Sequence, residues 1–521
     1  MANTFPNSRA PSMNVMFDNT KASGSVKTWR TLIIGTKNDD APAVINKPYM
    51  VINSDQGVNL FGSGSVLSEQ ISTYKKNDSN IETWAIALEK SKDKMASIEL
   101  KPKIKSLVKD ETISGIVSLY IGNKKLSLTL NKVKDLKSFC DSIVSQINED
   151  KTLLFNASNG KLNDKIILQM QQGGDFLNGI IVTFNLNGET FPDGIISVDT
   201  GVFVDPTPPP EVKPNDPKVK ALVDLNDGPV SVIKNYFDGG QGNPDVSVVF
   251  TSIKDMRFNT FVSPFSDKQN FQAMATELQE RWEPTKQNDG VCFLSISTDV
   301  ATSCESVKDY NSQNITMPNT YGLQAPSYIV NAAIAAQCSA SAFADPAMPL
   351  APIQLEGIEA PEEFKRLDFE ERTRLLDAGI STLDYVGTNV TTNRMLTTYK
   401  KNDANIPDTS YLKLETIYTL SFIRQYFREM FKKKFPRAKL MDDTAKLPPG
   451  QVIVTPKSAK AELIVIYQDL IDLGYCSDMQ SFIANTIVAR DIQNTEQLNI
   501  LLSPKLMSQL YNINVTVQFR S

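Results

Sequence analysis

The chain reads as a multidomain protein of α/β and α+β class: a core of βαβ segments, an inserted β-rich α+β domain, and extended arms at both ends. Three observations predict this. Short apolar runs at Arg30–Gly35, Glu82–Leu88, Arg257–Ser263 and Val291–Ser297 alternate with helical patterns, as parallel strands joined by crossover helices do. Between the two halves of that pattern, residues 95–200 change to hairpin signals and period-two alternation. The chain opens on a polar, turn-rich stretch and closes on an alternating strand.

Residues 1–28 lack a helical face and form the first arm, within which Asn14, Val15, Met16 and Phe17 are a strand candidate. Residues 29–94 are the first part of the core. Ser54 and Ser65 are placed as N-caps of two short helices, and Leu67, Ile71 and Tyr74 share one face of the second. Residues 95–204 are the inserted domain. Ile116–Ile121, the turn Gly122-Asn123 and Lys124–Leu130 predict a hairpin. Leu136, Phe139, Ile143 and Ile147 line an amphipathic helix, and strands are expected at Lys165–Met170 and Ile180–Phe184. Residues 205–235 are a linker, with six prolines in thirteen positions at 205–217, a stiff and extended composition.

Residues 236–400 resume the α/β core. Asp267 caps a helix carrying Phe271, Met274, Leu278 and Trp282 on one face, and an Ala-rich helix over 325–345 opens with Pro326 at its first position. Asp368 and Glu371 form a capping box, with Gly379 where the following helix should end. Residues 401–510 are a C-terminal helical domain. Its long helix Ser410–Lys434 has Ile417, Leu420, Ile423, Phe427 and Met430 on its core face; a second spans Ala459–Leu473 and stops at Gly474. Residues 511–521 are the closing strand arm. Ile513, Val515, Val517 and Phe519 face one way and Asn514, Thr516 and Gln518 the other, the pattern of a half-buried strand. The hexamer TYKKND at Thr73–Asp78 recurs at Thr398–Asp403, but the surrounding patterns differ and predict no domain duplication.

The chain has 521 residues and no histidine. That removes Ser-His-Asp and Cys-His nucleophile systems, HExxH zinc sites and any imidazole pH switch. Five cysteines contain no CxxC pair, and eleven residues separate the closest two; buried, reduced thiols are expected. The net charge of −5 argues against general nucleic-acid binding. No window approaches 18 apolar residues, so no spanning helix is expected, and the N-terminus lacks a signal-peptide apolar core. First assembly in a cytoplasm is therefore expected. No carboxylate spacing selects a catalytic pair or a metal site, and no catalytic, cofactor or metal residues are assigned. Gly62-Ser-Gly64 and Gly239-Gly240-Gln-Gly242 are glycine turns that lack the GxxxxGK[ST] pattern of a phosphate loop.

One charged constellation stands out. Arg424, Arg428, Lys432, Lys433, Lys434, Arg437 and Lys439 fall within sixteen residues, interleaved with Phe427, Phe431 and Phe435. Two readings lead: electrostatic contact with an acidic partner, or a solvated helix end whose cations complement the helix dipole. Nucleic acid is a third, disfavoured by the acidic whole chain.

Several segments carry a resemblance when taken in order. They are Phe17-Asp18-Asn19, the TLIIG strand, Phe61–Ser65, Gly242–Asp245, Ser263–Asp267 and Arg281-Trp282. Asp345–Leu350, Glu371–Thr382, Arg394–Tyr399, Phe435–Lys439 and Ile453–Pro456 follow. Together they resemble the tail sheath proteins of contractile phages, specifically the phage Mu-like tail sheath family. The resemblance implies a structural subunit without enzymatic activity or cofactor. It implies self-assembly as stacked, six-fold rings around an inner tail tube, with a baseplate and a tail terminator as further partners, in the tail of a virion. It also implies that contraction drives the tube through the host envelope and that terminal arms add strands to neighbouring subunits. The residues of the arms expected to do so are Asn14, Val15, Met16 and Phe17, and Ile513, Val515, Val517 and Phe519. The closing strand independently invites this, having an apolar face and no hairpin partner nearby in sequence. The sheath of a phage-derived bacteriocin or contractile injection system is the alternative. From a different class, a nucleotide-binding α/β enzyme rests on the βαβ pattern and glycine turns alone.

Overall fold

The computed structural model describes residues 28–105, 111–201, 235–443 and 450–520. The strand candidate Asn14–Phe17 and the proline-rich stretch 205–217 lie outside the described residues. Segments from both sides of the insertion build one six-stranded sheet, in the order Ile315–Thr316, Val291–Phe293, Thr260–Val262, Arg30–Thr36, Glu82–Leu88, Pro48–Val51. Arg30–Thr36 is the hinge of the arrangement. It runs parallel to Glu82–Leu88 on one side and to Thr260–Val262 on the other, with Leu32 opposite both Trp84 and Phe261. The expected βαβ pairing is therefore present. The short strand Pro48–Val51, absent from the sequence reading, adds an antiparallel edge.

The central strand is apolar on both faces because both are covered: Leu32, Ile33 and Ile34 are fully buried. Leu67, Ile71 and Tyr74 of the helix Val66–Asn77 are buried as their spacing predicts. The Ala-rich helix Ser327–Ala344 packs closely on that helix through its small side chains. Several buried polar groups are paired across the layers. Tyr74 Oη lies 2.7 Å from Thr31 Oγ1, and Asn331 Nδ2 donates to Ser263 O and Phe293 O at the ends of two strands.

Three helix starts differ from the sequence reading. Asn53, in extended backbone, caps the first helix by accepting from Gln56 N–H, so Ser54 is already helical. Pro326 is the N-cap rather than the first helical residue. The long C-terminal helix begins at Leu414, because Leu412 and Lys413 are drawn into extended pairing with Thr397 and Leu396. Ser65, Asp267 and the Asp368–Glu371 box cap as predicted, and Gly379 and Gly474 end their helices with φ of 78° and 80°. The two TYKKND copies are unrelated in structure: the first ends a helix, the second follows a strand as extended chain.

The insertion holds two sheets and the helix Leu136–Glu149. Its entering strand Ser91–Ile104 and its returning strand Ile195–Gly201 pair antiparallel, with Leu100 opposite Thr200, so chain entry and exit lie side by side. The predicted hairpin is Ile113–Ile121 with Lys124–Val133. This domain is seated on the core at three points. A Cβ added at Gly64, where φ is 72°, would lie 1.8 Å from Thr152 O. Gly122 abuts Pro326, and Gln324 Nε2 donates to Gly122 O at 2.9 Å. Gln172 Nε2 of the insertion donates to Thr36 Oγ1 of the core at 3.0 Å. At this seam the charge of Lys124, which donates to Thr152 Oγ1 of its own domain at 2.7 Å, acts on Glu69 of the core, which accepts from Tyr328 Oη at 2.6 Å. The close backbone approach explains the glycine at position 64.

The C-terminal region has its own hydrophobic cluster, including Ile423, Phe427, Leu463, Tyr467, Leu470 and Phe482. Tyr467 and Phe482 stack at 3.6 Å between centroids. The helix Leu414–Lys434 ties the two cores together, with Leu414, Ile417 and Tyr418 in the main core and Ile423 and Phe427 in the second. Leu420 and Met430 are only partly buried.

Four of the five unpaired cysteines are buried. Burial pushes the Cys140 and Cys476 thiols up to about 11, so they stay protonated and behave as small apolar groups.

Candidate assembly interface

The closing strand is not half-buried within its own chain. Residues 507–520 run as extended chain outside any sheet, and Ile513, Val515, Val517 and Phe519 are 73%, 76%, 78% and 89% exposed. Among the described residues no strand of the same chain pairs with it. An alternating apolar face of this kind needs a partner to bury it.

A second exposed strand pair lies nearby in sequence. Ile487–Arg490 and Leu498–Leu501 form a two-stranded antiparallel sheet, with Val488 opposite Ile500. Ile487 and Leu501 are each 58% exposed. Its turn is held by Asp491, which accepts from Gln493 and Asn494 N–H, both at 2.8 Å. Val488 packs one face of the hairpin against the second core, and both of its outer edges are open among the described residues. The sequence reading did not single it out; the signals available were the Asp491–Asn494 turn residues between two short apolar runs.

The basic constellation divides into two groups. Arg424 is committed within the chain: its Nη1 contacts Asp289 Oδ1 at 2.6 Å and Trp282 O at 2.7 Å, and its guanidinium lies 4.5 Å from the Trp282 ring centroid. Asp289 is 2% exposed on its side chain and also accepts from Ser421 Oγ at 3.0 Å. Burial raises the Asp289 pKa, while Arg424 pulls it back. Arg428 reaches Gln287 Oε1 at 3.3 Å. Arg424 thus ties the long helix to the end of the helix Lys268–Trp282, while Arg428 stays exposed. The second group stands at the far end. Lys432, Lys433, Lys434, Arg437 and Lys439 are exposed; Lys434 pairs with Glu462 at 2.9 Å and Lys439 Nζ donates to Gln451 at 2.9 Å.

The division predicts two different phenotypes for one apparent cluster. Arg424→Ala is expected to destabilise the folded chain by about 2–3 kcal/mol, because it strips a buried carboxylate of its charged partner. Arg424→Lys should recover only part of this, lacking the planar fork and the stacking on Trp282. Denaturant unfolding of the purified variants measures both; a change in Arg424→Ala below about 0.5 kcal/mol would remove this structural role.

Among the described residues no cluster of three or more Cys, Asp or Glu is placed to hold a metal ion, and no helix is long and apolar enough to cross a membrane.

The described surface thus carries an exposed terminal segment, an open hairpin and an exposed basic helix end, and comparison with known proteins gives the family. The phage tail sheath protein central domain matches residues 239–398, and the phage tail sheath C-terminal domain matches 407–520. The chain belongs to the phage tail sheath family and is a structural subunit of a contractile tail sheath of the Mu-like kind. Over nearly its whole length it is similar to the Mu-like prophage FluMu tail sheath protein of Haemophilus influenzae. The two are 29% identical over 520 residues, 98% of this chain and 97% of that one. Among solved structures it is similar to the sheath tail protein of Desulfitobacterium hafniense (11% identity, 96% of this chain and 100% of that one, TM-score 0.45). It is also similar to the helical sheath of the anti-feeding prophage in its contracted state (9% identity, 98% and 99% coverage, TM-score 0.43).

Proposed function

We propose that this chain polymerises as stacked, six-fold rings around an inner tail tube, linked by its arms, and contracts to drive the tube through the host envelope. Baseplate and tail terminator proteins bound the assembly, the site of action is the virion tail, and assembly takes place in the host cytoplasm. The chain catalyses nothing in this process. The observation that carries the reading is the combination of two sheath-family regions with a terminal strand left open by its own chain. Strand and acceptor edges at different places on one chain make a head-to-tail contact, which builds open helices rather than closed dimers. In this reading Ile513, Val515, Val517 and Phe519 add to an edge of the hairpin Ile487–Leu501 of a neighbouring subunit. Asn14, Val15, Met16 and Phe17 supply the other arm. Each main-chain ladder so formed can persist while the bodies rotate and repack. Overexpressed protein should form long tubes in negative stain; purely monomeric protein at high concentration would overturn the proposal.

The exposed basic end, Lys432, Lys433, Lys434, Arg437 and Lys439, is assigned to contact with the tube or with an adjacent ring. Arg424, held by Asp289 within the chain, orients the helix, and Arg428 stands exposed beside it. Reversing Lys432, Lys433 and Lys434 to Glu is expected to weaken assembly and make it salt-sensitive. The monomer should lose only about 1–3 kcal/mol, from the helix-end dipole and the Lys434–Glu462 pair. Normal tails in phage carrying the triple variant would reject the assignment.

A further inference from the structure

The C-terminal segment is stitched to the body up to Tyr511 and no further. Lys505 N–H donates to Tyr467 Oη at 3.1 Å, Met507 N–H to Tyr475 O at 3.0 Å, and Gln509 Nε2 to Ala347 O at 3.1 Å. Tyr511 Oη then donates to Glu415 Oε1, and the Arg394 guanidinium lies 3.6 Å from the Tyr511 ring centroid. From Asn512 to Arg520 every residue is exposed.

Glu415 is an unusual group to find here. It is fully buried, near the start of the long helix. Its Oε1 also accepts from Leu350 N–H at 3.2 Å, while Oε2 has no partner among the described residues. Leu350 closes the Asp345–Leu350 motif and Arg394 opens the Arg394–Tyr399 motif. Two segments far apart in sequence thus converge on one tyrosine. A buried carboxylate stripped of a donor is costly, so the hydroxyl of Tyr511 is held strongly, and the cation over its ring adds to this.

We propose that Glu415, Arg394 and Tyr511 form a clasp that fixes the root of the C-terminal arm on the main core, making Asn512 the pivot. Glu415 and Arg394 are positioning residues: they act on the neighbouring subunit only through where the arm leaves. A clasped arm, residues 512–520, reaches about 30 Å from a fixed point, whereas one peeled back to Lys505 reaches about 50 Å from a loose one. The clasp thereby sets a short, constant tether between subunits through any movement of their bodies. This rests on the arm reading given under Proposed function.

Trypsin digestion of soluble full-length protein, followed by mass spectrometry of the C-terminal peptides, tests the clasp directly. Wild type should be trimmed after Arg520 with Lys505 protected. Tyr511→Ala should expose cleavage after Lys505 at least tenfold faster, and its tubes should lose regular helical order in negative stain. Tyr511→Phe keeps the ring under Arg394 but removes the donor and should fall between the two, which guards against misfolding of the alanine variant. Unchanged protection of Lys505 together with regular tubes in both variants would overturn the clasp. The arm reading is judged separately: it survives that result if truncation after Tyr511 abolishes tubes, and falls if truncation leaves them intact.

Discussion

Removing residues 512–521 is expected to abolish tube formation while leaving a folded monomer whose melting temperature shifts by no more than about 1–2 °C. The two halves of this expectation have one cause. Residues 512–520 are exposed throughout, so the fold loses almost nothing with them. Between subunits the same residues would supply a strand with four apolar side chains to bury, at about 1.5–3 kcal/mol each when fully covered. A ladder of main-chain hydrogen bonds would add to this. A sum of that size for each subunit pair decides between monomer and polymer. Sedimentation velocity and negative-stain microscopy of the truncated chain read the outcome, and tubes of normal length would sink the assignment. A less drastic variant, Val515→Asp, should act in the same direction by placing a charge on the buried face.

The second large effect concerns pH. Glu69 lies at the seam between the inserted domain and the core, and its pKa is pushed from an ordinary 4.5 up to about 7. Burial is the main cause; the Tyr328 hydroxyl and the charge of Lys124 oppose it. The folded state therefore holds this proton more tightly than the unfolded chain does. The penalty for ionising Glu69 is absent below about pH 4.5, grows as the pH rises, and is complete a little above pH 7. A shift of that size corresponds to at most about 3 kcal/mol. Stability should fall between pH 5 and pH 7.5 by an amount that Glu69→Gln abolishes, the variant being the more stable protein at pH 7.5. Denaturant unfolding of the arm-truncated chain across that range, with and without the substitution, measures the difference. Equal slopes in both proteins would remove Glu69 as the source. Because Glu69, Lys124 and Tyr328 belong to the helix of the core, the hairpin of the insertion and the Ala-rich helix, the effect should concentrate at the seam. Hydrogen exchange in residues 122–126 and 150–154 would follow it.

Much of the fold is written locally. RTLIIG and ETWAIAL are short, apolar and bounded by turns, which leaves a buried parallel strand as their natural state. Asp267, Asp368 and Gly379 cap and stop helices by chemistry confined to four or five residues. The strand Ser91–Ile104 is missing from the sequence reading although its alternation is present: Ala96, Ile98 and Leu100 are buried between exposed or half-buried neighbours. Its lysines mask the pattern, because long cationic side chains lie on the solvent face of the same strand. The helix starts at Asn53 and Leu414 were misplaced by one and four residues for a similar reason. Several capping or turn-forming residues stand in a row there, and tertiary pairing selects among them.

The candidate site divides along the same line. The sequence by itself determined the alternation of Ile513, Val515, Val517 and Phe519, the run of cations from Arg424 to Lys439, and the lack of any imidazole. Each of these is a property of residue type and spacing. It took the packed fold to show that the closing strand finds no bed among the described residues, and that Arg424 belongs to Asp289 while the cations after it face outward. It alone brings Glu415, Arg394 and Tyr511 into one contact from three distant segments. The same holds for proton sensitivity. A chain without histidine has no side chain that titrates near neutrality in water, yet burial of Glu69 against a second domain creates one. Composition fixes which groups can ionise; the dielectric and the neighbours that set where they do so exist only after distant segments have packed together.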